Sequence, residues 1–151
     1  AAGTDALDIY QGQLFCQGIV DTAGGLVQVG VGIDVCDIAR MEELLKDGRF
    51  LARFFSMEEQ EYIENKGRGT AQTMAGIFAA KEALVKALGT GFTGGNLKDI
   101  CVLHDKNGAP YYDLRGGYAQ HAAQRQITNL HLSISHDGGV AAAIAIAERN
   151  V

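Results

Sequence analysis

The feature that most constrains the fold is an apolar helical segment that offers no side to water, residues 78–91 (FAAKEALVKALGTG) with the turn before it. At 3.6 residues per turn, the large apolar side chains share one face and the small residues lie opposite. The large ones are Met74, Ile77, Phe78, Leu84, Val85 and Leu88, and the small ones are Gly76, Ala79, Ala80, Ala83 and Ala87. We therefore expect a buried helix, covered by the rest of the chain or by a neighbouring subunit.

Three charged residues interrupt this helix: Lys81, Glu82 and Lys86. An isolated buried ion costs several kcal/mol, so each charge must meet a partner or a ligand. Glu82 and Lys86 are four residues apart and could form an intrahelical ion pair, but such a pair contributes only about 0.3–0.5 kcal/mol. That gain is too small to justify their burial.

A strand is predicted over residues 26–35 (LVQVGVGIDV), where apolar residues alternate strictly with others. One face carries Val27, Val29, Val31, Ile33 and Val35, and the other carries Gln28, Gly30, Gly32 and Asp34. The two glycines mark either a bulge or a place where another group approaches the backbone beside a carboxylate. Asp34 and Glu82 together could supply two oxygen ligands for Mg²⁺, with Lys81 and Lys86 placed for phosphate.

The other elements predict an α+β fold rather than a doubly wound sheet. Asp37 caps a short helix, and Ser56 opens a second helix with a capping box that Gly67 can close. Further along are a hairpin around Asn107-Gly108, a helix over 117–126, and a closing hairpin of LHLSISH and VAAAIAIAE around DGG. Residues 1–25 fit no firm element.

Composition favours one domain and excludes several classes of protein. The chain has 151 residues, 47% of them hydrophobic, and no apolar run of the roughly 20 residues that span a bilayer. No basic residue precedes Arg40, so a secretory leader is not indicated, and we expect a cytoplasmic protein. Without any C-x-x-C spacing, the cysteines are expected to be small buried residues rather than disulfide or zinc ligands. They are Cys16, Cys36 and Cys101.

The net charge of -5 argues against a nucleic-acid partner, but it is unevenly distributed. Residues 1–39 contain five Asp and no Lys or Arg, so the remainder is neutral overall. Within that remainder lies a basic cluster formed by Arg40, Lys46, Arg49, Arg53, Lys66 and Arg68. This cluster suits an acidic partner, although an ordinary solvated helix surface explains it equally well.

Two further segments bear on ligand binding. The stretch 89–95 (GTGFTGG) has G-x-G-x-x-G spacing, but it follows a helix and precedes a strand, which is the wrong order for a dinucleotide fingerprint. His136 ends a strand after two hydroxyl residues, next to where the helix charges and glycine loop could converge on an anion. The remaining histidines are expected at the surface or in hairpins: His104, His121 and His131.

Three stretches together resemble the 4'-phosphopantetheinyl transferases, most closely the short bacterial holo-acyl-carrier-protein synthases. They are GIDVCDIAR at 32–40, FAAKEALVKALGTG at 78–91 and SISHDGGVAAAIAIAE at 133–148. The resemblance covers roughly residues 28–149 in the family's order. It divides the chain into an N-terminal extension, 1–25, and a transferase domain, 26–151.

The resemblance implies a fold, a reaction and a metal. The fold is a small antiparallel or mixed sheet packed against a long buried helix. The reaction is transfer of 4'-phosphopantetheine from coenzyme A to a serine of apo acyl carrier protein in fatty acid biosynthesis, releasing adenosine 3',5'-bisphosphate. Asp34 and Glu82 would bind the Mg²⁺ that bridges to the pyrophosphate, and Lys86 would stabilise the phosphate. Glu82, Asp34 or a metal-bound water would take the serine proton.

The resemblance also implies binding surfaces. Coenzyme A would contact Lys81, Lys86, Lys66, Arg68, Gly89, Ser135 and His136, with His136 and Lys66 or Arg68 at its 3'-phosphate and adenine end. The acidic carrier protein would dock on Arg40, Arg49 and Arg53. The synthase would be a homotrimer with coenzyme A bound between subunits.

Two other functions fit part of this pattern. A module that binds coenzyme A without turnover would not need the two metal carboxylates. Another Mg-dependent phosphotransferase or a nucleotide pyrophosphatase would not need a basic surface for protein docking.

Overall fold

The computed structural model describes residues 7–10, 13–17 and 26–150, and side chains from residue 30 onward except those of 92 and 93. The strands are β1 (Leu7–Tyr10), β2 (Gln13–Gln17), β3 (Leu26–Asp37), β4 (Ile100–His104), β5 (Pro110–Leu114), β6 (Asn129–Asp137) and β7 (Val140–Asn150). The α-helices are α1 (Ile38–Leu45), α2 (Arg49–Phe54), α3 (Met57–Glu64), α4 (Thr70–Leu88) and α5 (Gly116–Gln124), with single 3-10 turns at Gly67–Gly69, Gly91–Gly94 and Leu97–Asp99.

The predicted α+β class is confirmed. Five antiparallel strands form one sheet in the order β1-β2-β3-β7-β6, and β4 pairs with β5 in a separate hairpin. Helix α4 packs across the inner face of the large sheet, chiefly against β3 and β7. The predicted caps are also present, since Asp37 accepts from the Ala39 amide and Ser56 forms a full capping box with Glu59.

The two glycines of β3 allow α4 to lie directly on the strand. A Cβ atom at Gly30 would lie 1.9 Å from the Ala87 carbonyl oxygen, and one at Gly32 would lie 1.8 Å from that of Ala83. Both distances are far below van der Waals contact, so only glycine fits. The close approach predicted beside Asp34 is therefore that of α4. The alternative interpretation also holds, because a bulge interrupts the β3–β7 register between Gln28 and Gly30.

Helix α4 is buried, as its sequence predicts. Only Thr70, Gln72, Thr73 and Glu82 escape full burial along its length. The inward residues of β7 cover its small-residue face: Ala141, Ala143, Ala145 and Ala147. Of the two coverings expected from the sequence, the rest of the chain is therefore the one that encloses α4.

The outer face of the large sheet is apolar and exposed instead. Ile33 and Val35 of β3 are 52% and 60% exposed, and Ile144 of β7, which pairs with Ile33, is 37% exposed. Val140 at the start of β7 adds to this surface. We call Ile33, Val35, Val140 and Ile144 the outer apolar face.

Two structured segments were not predicted from the sequence. Helix α2 has no side-chain cap, and β1 and β2 form a hairpin that joins the edge of β3 through Cys16 and Gln17. Residues 1–6, 11–12 and 18–25 of the predicted extension, and the side chains of Cys16, Val27 and Val29, lie outside the described residues.

Cys36 and Cys101 are buried free thiols, as expected. In the described part of the chain, every helix is too short or too polar to cross a membrane.

Candidate active site

Strand β3 and helix α4 bring Asp34, Glu82 and Lys86 together; we call these three residues the Lys86 cluster. The Lys86 ammonium donates to Asp34 Oδ1 at 2.9 Å and to the Ile33 carbonyl at 2.8 Å. The side chains of Lys86 and Asp34 are only 10% and 11% exposed. Lys86 thus forms its ion pair with the strand rather than with Glu82, and the described residues leave one ammonium proton for another acceptor.

The carboxylates of this cluster are short of positive charge. Asp34 Oδ2 is buried and has no hydrogen-bond partner in the described part of the chain. Burial and the adjacent Asp34 raise the pKa of Glu82 to about 8, although Lys86 and Arg40 act in the opposite direction. A divalent cation would relieve both the unpaired oxygen and the repulsion between the carboxylates.

The donor set suits Mg²⁺ more than a metal held wholly by protein. The described residues contain no group of three or more His, Cys, Asp or Glu side chains that could hold a metal ion. Mg²⁺ commonly uses one or two carboxylates and takes its remaining oxygens from water and substrate phosphates. Asp34 and Glu82 fit that pattern.

Lys81 lies in a different, closed setting, which we call the Lys81 cluster. Its ammonium donates to Glu59 Oε1 at 2.7 Å and to the carbonyls of Leu97 and Ile100 at 2.9 and 2.7 Å. Both charged side chains are fully buried, and burial lowers the pKa of Lys81 while Glu59 opposes that shift. All three ammonium protons have partners inside the chain, so the structure does not bring Lys81 to the phosphate position expected from the sequence.

A second concave region, which we call the His136 pocket, lies near the first half of α4. It has a volume of about 270 Å³, and its polar lining includes Lys66, Gln72 and His136. Gln72 Nε2 lies 2.9 Å from His136 Nε2. The structure thus brings Lys66 and His136 together, as the proposed 3'-phosphate site requires.

His104 lies in the β4–β5 hairpin, as expected, and it also lines the His136 pocket, which the sequence did not predict. Its ring stacks on that of Tyr62, with centroids 4.0 Å apart and planes 8° apart. The predicted hairpin could have indicated His104 as a lining residue, because His104 pairs across it with Pro110, which also lines the pocket. No local sequence pattern indicated Tyr62 or Gln72 as lining residues. Of the other histidines, His131 is exposed beside Glu148, and His121 is half-buried.

Three other predicted coenzyme contacts lie elsewhere. Arg68 is exposed in the turn Gly67–Gly69 and is not among the residues that line the His136 pocket. Ser135 is exposed and paired with Ala142, on the opposite face of β6 from His136. Gly89 has φ 67° and caps the end of α4. The loop after it packs against α5, since a Cβ at Gly94 would lie 2.8 Å from the Tyr118 ring.

The three predicted docking arginines are exposed around α1 and α2. Arg40 lies close enough to the Lys86 cluster for its charge to lower the pKa of Glu82. Arg49 forms an ion pair with Asp47 at 2.8 Å, and Arg53 lies over the Phe54 ring at 5.1 Å from its centroid. Of the three arginines, Arg40 is therefore the one whose charge reaches the carboxylates.

Comparison with known proteins identifies the family. Residues 30–145 match the family model described as the 4'-phosphopantetheinyl transferase superfamily. This chain belongs to that superfamily. A holo-[acyl-carrier-protein] synthase of Treponema denticola is 45% identical over 120 residues, which cover 80% of this chain and 98% of the relative.

Solved structures of the superfamily have the same fold. The Helicobacter pylori holo-[acyl-carrier-protein] synthase in complex with coenzyme A is 34% identical, with a TM-score of 0.68, over 78% of this chain and 98% of that one. The Bacillus anthracis synthase in complex with CoA (3',5'-ADP) is 33% identical, with a TM-score of 0.69, over 82% and 98%. The predicted fold and the predicted enzyme class, a 4'-phosphopantetheinyl transferase of the holo-acyl-carrier-protein synthase type, are confirmed.

Proposed function

We propose that this chain transfers 4'-phosphopantetheine from coenzyme A to a serine of an apo acyl carrier protein in a Mg²⁺-dependent reaction. The observation that carries the metal assignment is the buried, unpartnered Asp34 Oδ2 beside Glu82. Coenzyme A in the Helicobacter pylori and Bacillus anthracis structures supports the donor substrate.

In the proposed reaction, the serine hydroxyl oxygen attacks the β-phosphorus of coenzyme A. A new P–O bond forms, the serine proton passes to Glu82, Asp34 or a water, the bond to the bridging oxygen breaks, and adenosine 3',5'-bisphosphate leaves with that electron pair. When bound, Mg²⁺ would act as a Lewis acid and a template for the pyrophosphate oxygens. Asp34 and Glu82 would hold it, and the proton that Lys86 does not donate to Ile33 or Asp34 is available for a phosphate oxygen.

The position of the His136 pocket supports an orientation of coenzyme A along α4, from this pocket to the Lys86 cluster. Gln72 of this pocket lies ten residues before Glu82 on α4, or about 15 Å along a helix at 1.5 Å per residue. The pyrophosphate would lie at the Lys86 cluster, and the 3'-phosphate would lie near Lys66 and His136. Lys81, Arg68, Ser135 and Gly89 are not needed for this placement.

The acidic carrier protein is proposed to dock on the surface that holds Arg40, Arg49 and Arg53. Arg40 is the central residue of this proposal, because its charge reaches the carboxylate cluster where the serine must arrive. Opposite charge on the two partners would speed their encounter and orient the serine.

Assembly as a homotrimer with coenzyme A bound between subunits is also part of the proposal. Its support from this chain is the outer apolar face, since an apolar sheet surface of this kind is typical of a protein interface. Light scattering at micromolar concentration should give about three times the 16.0 kDa mass of the chain. A fully active monomer at the same concentration would contradict the shared site.

Mass spectrometry tests the reaction directly. The protein is incubated with coenzyme A, Mg²⁺ and an apo carrier protein, and the carrier should gain one phosphopantetheine group. Removal of the metal with a chelator should stop the gain, and excess Mg²⁺ should restore it. Binding of coenzyme A with no transfer to any of several carriers would favour a binding module, and hydrolysis of coenzyme A without a carrier would favour a pyrophosphatase.

A further inference from the structure

The His136 pocket has the chemistry of an anion site. Lys66, Gln72 and His136 contribute nitrogen atoms to it, and no acidic residue is among the described residues that line it. At about 270 Å³ it is slightly smaller than the roughly 300 Å³ at which small-molecule sites begin. It therefore suits one end of a ligand rather than a whole coenzyme.

Lys66 alone would be poorly positioned for such a site. It follows the last residue of α3 by two positions, is exposed, and forms no ion pair with the described part of the chain. A lysine on a flexible four-carbon stem loses rotamer freedom when a ligand fixes it. Any group that holds the ammonium beforehand lowers this penalty.

The Tyr62 ring is that group. Lys66 Nζ lies 4.3 Å from its centroid, within the range of a cation–π contact. An acidic partner would fix the ammonium equally well but would neutralise it toward an incoming phosphate. An aromatic ring holds the cation and leaves its full charge available.

His104 in turn fixes the Tyr62 ring. The two rings are nearly parallel and stack with their centroids 4.0 Å apart, and this contact joins the end of α3 to the end of β4. Burial and the charge of Lys66 lower the pKa of His104, against the opposing effect of Asp105, so the stacked imidazole is neutral near pH 7 and does not repel the ammonium. Asp105 is itself held by the turn, where it accepts from the amides of Asn107 and Ala109.

We propose that Tyr62 and His104 are positioning residues that hold Lys66 for the 3'-phosphate of coenzyme A and thereby set the preference for coenzyme A over 3'-dephospho-coenzyme A. This inference rests on the proposed function for the identity of the ligand. Tyr62 and His104 take no part in the chemistry at the pyrophosphate.

The test compares kcat and KM for the two coenzymes in Tyr62→Leu and in the matched control Tyr62→Phe, which keeps the ring. Loss of a cation–π contact should raise KM for coenzyme A about three- to tenfold and leave kcat unchanged. KM for the dephospho form should stay within about twofold of the wild type, because that substrate has no 3'-phosphate for Lys66. Tyr62→Phe should behave like the wild type for both substrates.

Equal losses for both coenzymes in Tyr62→Leu, or an unchanged preference, would overturn the inference. Thermal unfolding checks that the variant folds. If it does not, His104→Ala and His104→Phe give the same comparison from the other ring, with the preference reduced only in the alanine variant.

A binding measurement separates this inference from the proposed reaction. Calorimetry compares adenosine 3',5'-bisphosphate with adenosine 5'-monophosphate on the wild type and on Tyr62→Leu, without a carrier protein. The wild type should prefer the bisphosphate, and the leucine variant should lose most of that preference, even if no phosphopantetheine transfer is found. Equal affinity of the wild type for the two nucleotides would refute the positioning role whatever the transfer assay shows.

Discussion

Two lysines five residues apart on α4 have opposite surroundings. Lys81 is fully buried, and its three protons are donated to Glu59 and two carbonyls. Lys86 donates to Asp34, whose second carboxylate oxygen has no hydrogen-bond partner among the described residues, and it lies near Glu82, whose pKa is raised. A buried charge with all partners satisfied stabilises one arrangement of the chain. A buried charge cluster whose polar atoms lack partners is suited to bind a ligand or an ion.

The largest expected difference between the two clusters is in turnover. Asp34→Asn or Glu82→Gln should each lower kcat at least about a thousandfold, or roughly 4 kcal/mol, because each removes one of the two proposed metal ligands. Circular dichroism and denaturant unfolding should show an intact fold, since Glu82→Gln also removes repulsion between carboxylates. Near wild-type turnover of either variant at limiting Mg²⁺ would refute the metal assignment.

The Lys81 cluster should respond in stability instead. Lys81→Met leaves Glu59 buried without its cation and should lower the free energy of unfolding by about 3–5 kcal/mol. Denaturant titration measures this loss, and the double variant Lys81→Met with Glu59→Gln should recover part of it. A stable Lys81→Met variant whose only defect is a raised KM for coenzyme A would restore Lys81 to the phosphate site.

Arg40 tests how far the Lys86 cluster extends toward the carrier. Arg40→Glu should raise KM for the carrier protein by about tenfold, with little change in KM for coenzyme A, because it reverses one charge of the proposed docking surface. Added salt should reduce the difference between variant and wild type, since Arg40 is exposed. A similar loss for both substrates would place Arg40 in the coenzyme site.

The smallest expected effect is stabilisation by the metal itself. At a Mg²⁺ concentration of about five times Kd, the wild type should gain about 1 kcal/mol, which corresponds to roughly 2–4 °C in Tm for a chain of this size. Glu82→Gln should show no such shift, whereas an exposed control such as Arg68→Ala should keep it. Equal shifts in the wild type and in Glu82→Gln would mean that Mg²⁺ stabilises the protein elsewhere.

The same two lysines show what could be predicted from the sequence. Helical periodicity placed both on α4 and showed that the helix is buried, because that property depends on neighbours within one turn. It could not separate their roles. Glu59 was recognisable only as the N3 glutamate of the capping box that begins at Ser56. It also accepts hydrogen bonds from Lys81 and from the Val102 amide, 22 and 43 residues away. Contacts between elements so far apart have no local pattern.

The same limit explains the other differences. His104 stacks on Tyr62, which lies on a different element, so no local pattern linked the two rings. Helix α2 has six residues and no capping side chain, too little for periodicity to detect. By contrast, Asp34 lies within a strictly alternating strand and Glu82 belongs to a recognisable motif, so their selection as a pair needed no knowledge of the tertiary structure.

The contact between the glycines of β3 and α4 also sets the spacing between Asp34 and Glu82. Asp34 lies two residues after Gly32, and Glu82 lies one residue before Ala83, whose carbonyl would lie 1.8 Å from a Cβ at Gly32. The spacing between Asp34 and Glu82, which the proposed cation would fill, therefore depends on a hydrogen atom at Gly32 where any other residue would place a carbon. One methyl group added at Gly32 would wedge strand and helix apart and widen that gap without touching a single atom that binds metal or substrate.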